Sequence, residues 1–184
     1  MAATVGTLDW APALTRPDLL AAPVIQALTE LGAEADSVRV AAIDPELADT
    51  QAFCATYEVP LEISANCVVV AAKRGGERRF AACLVLATTR ADVNGLVRRH
   101  LDARKVSFAP MDLAVEETGM EYGGITPVGL PATWPLLVDA AVAAADSAGE
   151  VVVGSGVRRS KLLLPSAVLG GLPGAQVLDG LGLP

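Results

Sequence analysis

The chain has 184 residues, of which 52% are hydrophobic and only 4% aromatic, and its formal net charge is −7. That length suits a single domain, residues 1–184, with an aliphatic core of Val, Leu and Ala, and the composition excludes a disordered chain. The acidic balance excludes a protein that grips nucleic acid by a general positive excess, so any RNA partner must be held locally.

Thr15-Arg16-Pro17-Asp18 reads as a helix start, with Leu19, Leu20, Val24, Ile25, Leu28 and Leu31 at helical spacing and Gly32 as the stop. Pro23 either kinks this helix or marks its true beginning. A strand is expected over residues 38–43, a turn at Asp44-Pro45-Glu46, and a second helix over residues 47–57, with Asp49 near its positive pole. Two apolar runs, 67–72 and 80–87, are joined by a charged tip bearing Gly75 and Gly76, which predicts a hairpin. Both faces of Val68-Val69-Val70 are apolar, so that strand is expected to be covered on both sides.

A third helix is expected over 91–101, opened by Thr88 or Thr89, then a strand over 103–109 and a short helix over 111–118 stopped by Gly119. Arg98, Arg99, Arg104 and Lys105 cluster there beside His100, as a solvated helix end or as an RNA contact. Strands are expected at 136–138, 151–153 and 162–164, with an alanine-rich crossover at 140–148, a small helix opened by Pro165-Ser166, a last strand at 175–178 and a frayed end at 180–184. This irregular interleaving predicts an α+β fold with a mixed sheet or partly closed barrel.

Apolar stretches fall far short of the roughly 20 residues that span a bilayer, and the first ten residues carry no Lys or Arg, so a cytoplasmic protein without a membrane segment is expected. Cys54, Cys67 and Cys83 are widely spaced and His100 is the single histidine, which suggests neither a disulfide framework nor a metal site. No cofactor is expected.

The segment Tyr122-Gly123-Gly124-Ile125-Thr126-Pro127-Val128-Gly129-Leu130-Pro131 combines backbone freedom with backbone rigidity. Glycines allow positive φ and close approach, and Pro127 and Pro131 lock φ, so the remaining amides point in fixed directions. By Gly and Pro spacing alone it is a pair of turns; it is also suited to holding a carbonyl or an anion.

Three patches resemble the YbaK-like aminoacyl-tRNA deacylases, a family that includes the editing domain inserted in many bacterial prolyl-tRNA synthetases. They are Glu62 to Val70, Gly119 to Gly129 with its glycine-x-x-x-proline loop from Gly123 to Pro127, and Val151 to Arg159. The resemblance spans about residues 35–178, leaving residues 1–34 as an N-terminal helical extension. It implies a mixed, partly closed β-barrel-like sheet flanked by helices. It also implies hydrolysis of the ester joining a wrongly chosen, small amino acid to the 3′ end of a tRNA, by a freestanding enzyme without cofactor or metal. The implied partners are the aminoacylated acceptor end and, beyond it, an aminoacyl-tRNA synthetase.

By position, the resemblance assigns the catalytic pocket to Asn66, Gly123, Gly124 and Pro127, and substrate binding to Tyr122, Thr126, Ser155, Gly156 and Arg158. Where the family typically has a lysine at the start of the central strand, this chain has Asn66, which offers hydrogen bonds but no charge. Lys73 cannot replace it, because seven residues of strand is roughly 23 Å. The alternative function is therefore a non-catalytic member that binds an aminoacyl-like ligand or an acceptor end.

Overall fold

The computed structural model describes residues 5–144 and 149–184. A short strand β1 (Ala11–Pro12) and two 3-10 turns precede helix α1 (Ala22–Leu31), which begins later than Thr15. Pro23 marks its true start: in the first turn its missing N–H has no intrahelical partner to lose. Strand β2 (Arg39–Ala42) leads to α2 (Thr50–Tyr57), where the Asp49 carboxylate caps the amides of Gln51 and Ala52.

The hairpin is longer than its apolar runs. Gly75 and Gly76 take φ of 59° and 85°, the two positive values of a type I′ turn, so β3 (Ala65–Arg74) and β4 (Glu77–Leu86) pair out to the charged tip. After β5 (Arg90–Ala91) the expected third helix forms as a π-helical turn, Val93–Val97, that runs into α3 (Arg98–His100). Its cap is Asp92, which accepts from the amides of Gly95 and Leu96, in place of Thr88 or Thr89.

Strand β6 (Lys105–Phe108) is followed by α4 (Met111–Thr118), which ends at Gly119 in the left-handed region, as its sequence predicts. The remaining elements are β7 (Leu136–Asp139), α5 (Ala140–Ala143), β8 (Glu150–Gly154), β9 (Ser160–Pro165), α6 (Ser166–Gly170), β10 (Ala175–Leu178) and β11 (Gly182–Leu183). The second half of the expected alanine-rich crossover lies outside the described residues.

The result is α+β with a mixed five-stranded sheet, β10-β7-β4-β3-β6, and an antiparallel four-stranded sheet, β1-β2-β9-β8. Neither sheet closes into a barrel, which corrects that part of the expectation: among the described residues the two are joined by a single parallel bridge, Ser64 to Val152, too little to continue a ladder. The main core lies between them, with Ala82, Leu84 and Leu136 from one sheet meeting Val153, Leu162 and Leu164 from the other. Leu19, Leu20, Val24 and Leu28 belong to the same cluster, so the N-terminal segment is packed into the domain.

Each sheet has a second apolar face. Ala41, Val152 and Leu163 pack under Phe53 and Cys54 of α2, while Val70, Ala72 and Cys83 pack under Val93 and Val97. Strand β3 is thus interior and covered on both faces, as the Val68-Val69-Val70 run predicts.

The C-terminal end is not frayed. β11 pairs with β5, the Leu181 carbonyl accepts from the Asp92 amide, and the Leu181 side chain is fully buried against Val93 and Val97. Turn-rich composition suggested fraying; burial of one leucine overrides it. Replacing Leu181 with Ala is expected to lower the unfolding free energy by about 2–5 kcal/mol in urea titration. A change within experimental scatter would return the tail to the frayed state.

Candidate functional site

Strand β6 pairs with β3 only from Val70 to Lys73, so the first half of β3 has a partner, β4, on one side alone. On the other side the Val69 carbonyl accepts from Ala109 and the Lys73 carbonyl from Arg104. Backbone groups of alternate residues point the same way along a strand, so the amide and carbonyl of Cys67 face this open edge. A cleft of about 510 Å³ lies against it. Its walls are the turn Ala48-Asp49-Thr50 that opens α2, the rim residues Phe108, Met111, Tyr122 and Gly123, and, from the other sheet, Gly154 and Lys161.

Two polar side chains in the cleft hang from one turn. The Thr50 hydroxyl donates to Asn66 Oδ1 at 2.6 Å, leaving the Asn66 NH2 group without a partner among the described residues. Two residues earlier, the Ala48 carbonyl accepts from Lys161 Nζ at 2.9 Å. Lys161 lies on β9 in phase with Leu163, so its stem runs along the apolar face beneath α2, and Nζ sits 5.1 Å from the centre of the Phe53 ring. Burial pulls its pKa down to about 8, against the opposing pull of the Asp49 carboxylate.

The glycine-proline loop is stacked backbone to backbone on the turn after β8. The Gly156 amide donates to the Gly124 carbonyl at 2.7 Å, and the Glu121 amide to the Gly156 carbonyl at 2.8 Å. A Cβ on Gly124 would lie 2.5 Å from the Val157 carbonyl carbon, so only glycine permits this approach. Arg158 straps the arrangement: its amide donates to Glu121 Oε2, and its guanidinium reaches the carbonyls of Tyr122 and Pro45.

Of the nine positions the sequence singles out, the cleft is lined by three: Asn66, Tyr122 and Gly123. Gly124, Thr126 and Pro127 are buried behind the rim, and the Thr126 hydroxyl has no partner among the described residues. Ser155 turns inward, its hydroxyl bonded to Ser160 Oγ and to the carbonyls of Val157 and Ser160, and Gly156 packs against Ala21. Arg158 holds the loop in place. These six shape the rim from behind.

Sequence reasoning passed over Thr50, Phe108, Met111 and Lys161. A signal for Lys161 existed: it opens the otherwise apolar run Lys161-Leu162-Leu163-Leu164, where a charge has little solvent to reach. The thiols are held in their protonated, weakly nucleophilic form. Burial raises Cys54, Cys67 and Cys83, the last to about 12. Among the described residues no cluster of His, Cys, Asp or Glu is arranged to hold a metal ion.

The lowered pKa of Lys161 has a stability consequence with a definite sign. Below pH 8 both folded and unfolded states carry the ammonium and folding bears its full desolvation cost. Between about 8 and 10.5 the unfolded chain holds more protons, so stability rises with pH in that window. Buried thiols act oppositely at similar pH, so a comparison with a variant is needed to isolate the lysine. The stability of Lys161→Met minus that of the wild type is expected to fall by on the order of 3 kcal/mol from pH 7 to 10.5 in urea titrations; a difference independent of pH would exclude a lowered pKa.

The aminoacyl-tRNA editing domain model matches residues 44–170. No curated protein matches the chain. Among solved structures, a proposed trans-editing enzyme for prolyl-tRNA synthetase is 22% identical with a TM-score of 0.71, covering 88% of this chain and 96% of its own. A scaffold from epitope backbone grafting by computational design is also 22% identical, with a TM-score of 0.73, covering 89% of this chain and 97% of its own. A hypothetical protein is 20% identical with a TM-score of 0.71, covering 85% of this chain and 99% of its own. At these identities the structural likeness speaks for the fold, and the family match over most of the length, including the β3 edge, the loop and Lys161, speaks for the lineage: this chain belongs to the aminoacyl-tRNA editing domain family.

Proposed function

We propose that the protein is a trans-acting deacylase of the cytoplasm that hydrolyses the ester of a mischarged tRNA bearing a small aminoacyl group. The observation that carries this reading is the cleft at the open edge of β3. Its volume of about 510 Å³ falls in the usual range of about 300–1,000 Å³ for small-molecule sites. The inner lining is small and apolar, with Ala48, Ala65, Cys67, Ala109 and Ala114, which suits a short aliphatic side chain. The Asn66 NH2 group, the Cys67 backbone and the Gly123 rim supply hydrogen bonds for an amine and a carbonyl. An aminoacyl ester is activated, so positioning and stabilisation of the developing charge suffice without a side-chain nucleophile.

The rim supports a nucleotide end. Tyr122 is 55% exposed and Phe108 66%, and both border the cleft, where an unpaired base can stack on an aromatic ring. Charge supports a stem beyond it. Nine of the 14 Lys and Arg residues fall between residues 73 and 105, with three acidic residues among them, on a chain of net charge −7. Lys73 stands opposite Arg78 on one side and Lys105 on the other, so three adjacent strands set three cations in a row. Such a row repels itself unless an anion bridges it. Strand β6 runs from Lys105 to Phe108, roughly 10 Å, and so links the basic row to the cleft rim. A tRNA acceptor end with its 3′ terminus in the cleft fits both.

Incubation with a panel of correctly and wrongly charged tRNAs tests the function, and ester loss no faster than in buffer on every member would exclude it. Asn66→Ala and Gly123→Ala are each expected to slow turnover by about 10- to 100-fold; alanine at Gly123 would also meet the Arg158 guanidinium. Tyr122→Ala should raise KM by about 10-fold with kcat little changed. Lys73→Glu should weaken tRNA binding and reduce its salt dependence, and equal affinity at low and high salt in both proteins would remove the basic row from the interface.

A further inference from the structure

The cleft contains an ammonium that no carboxylate neutralises. Lys161 is 7% exposed, and among the described residues no ion pair includes it. Of its three N–H donors, one is used by the Ala48 carbonyl. None of the groups facing it forms an ion pair with it among the described residues. Asp49, the cap of α2, accepts the Gln51 and Ala52 amides through Oδ1 and attracts the ammonium through space without forming an ion pair with it, and Cys54 on α2 is a protonated thiol in contact with Ser64. Arg158, on the turn before β9, is a second cation that opposes the first. A buried charge left unpaired in this way is costly and calls for a partner.

Its placement is also fixed. Ala48 holds Lys161 and Thr50 holds Asn66, so one turn at the start of α2 sets the cation and the amide relative to each other. The phenyl ring of Phe53 beneath Nζ blocks retreat into the core. Besides a void of about 10 Å³ toward Ser64 and Val152, the space open to the two unused donors is the cleft, which Lys161 lines together with Asn66, Gly123 and Gly154.

We infer that the Lys161 ammonium is a catalytic residue that holds the oxyanion formed when water attacks the aminoacyl ester in this cleft. The inference rests on the deacylase function proposed above. In the step, the water oxygen bonds to the ester carbonyl carbon and the C=O π pair moves onto the carbonyl oxygen, opposite the ammonium. Collapse re-forms the carbonyl and breaks the bond to the ribose oxygen. That oxygen takes the proton given up by the water, releasing the amino acid and a tRNA with a free terminal hydroxyl. Lys161 keeps its proton throughout, acting as a fixed positive charge in a site of low dielectric. Asn66 contributes direction and Lys161 contributes charge.

The test is single-turnover hydrolysis of a mischarged tRNA at saturating protein by wild type, Lys161→Met and Lys161→Arg, with thermal unfolding recorded for each. Loss of an oxyanion donor predicts that Lys161→Met is slower by about 100-fold or more while its tRNA affinity stays within about threefold, and that Lys161→Arg recovers part of the rate. Once the uncatalysed rate is subtracted, the wild-type rate should decline as pH rises through about 8, and the residual Lys161→Met rate should lack that limb. Lys161→Met within about threefold of wild type overturns the inference and leaves the deacylase function standing. So does a wild-type rate that climbs through pH 8 to a plateau, the mark of a neutral amine acting as base; this reading needs no variant, should Lys161→Met fail to fold. Wild-type protein inactive on every tRNA overturns both.

Discussion

The early end of β6 is the constraint on which the candidate site depends. Strand β3 is ten residues long and β6 is four, so half of one β3 edge has no strand paired along it, although both faces of β3 are packed. Backbone amides and carbonyls in such a place must find partners. In this fold the gap is bordered, without being filled, by the α2 turn, the rim loop and β9. The cleft is therefore a consequence of unequal strand lengths and needs no cavity carved from the core.

Around that gap the chain separates rigidity from contact. Gly124, Ser155, Gly156 and Arg158 tie the glycine-proline loop to the neighbouring turn through backbone hydrogen bonds and a guanidinium strap, and they lie behind the surface a ligand would meet. Tyr122 and Gly123 are what the loop presents. A motif can thus be rich in residues the loop's shape requires while few of them line the cleft, because a loop whose amides must point in fixed directions has to be held from the back.

Charge is divided in a similar way. The molecule is acidic overall, which disfavours loose association with nucleic acid, and it concentrates its cations at the hairpin tip and the adjoining β6 end. The one buried lysine sits apart from that cluster, inside the cleft. Surface cations serve long-range attraction that salt screens, whereas a desolvated ammonium acts over a few ångströms with little screening. The two populations match the docking and the chemistry proposed for them above.

The chain's linear pattern determined the α+β class, the covered central hairpin, the short helix ending at Gly119, and the loop that follows it. Each is written in local periodicity, in glycine placement or in a run of apolar residues, all properties of neighbours in sequence. The family resemblance, read at matching positions, pointed to Asn66, Tyr122 and Gly123, which line the cleft. Tertiary packing alone decided the rest. Two open sheets in place of a barrel depend on which edges meet, the ordered C-terminus depends on the burial of Leu181 against a helix some 85 residues earlier, and Lys161 reaches the cleft only because β9 lies between β2 and β8 with its odd-numbered residues under α2. Edge pairing and face-to-face burial join residues far apart in the chain, and no local signal encodes which distant strand will be the neighbour.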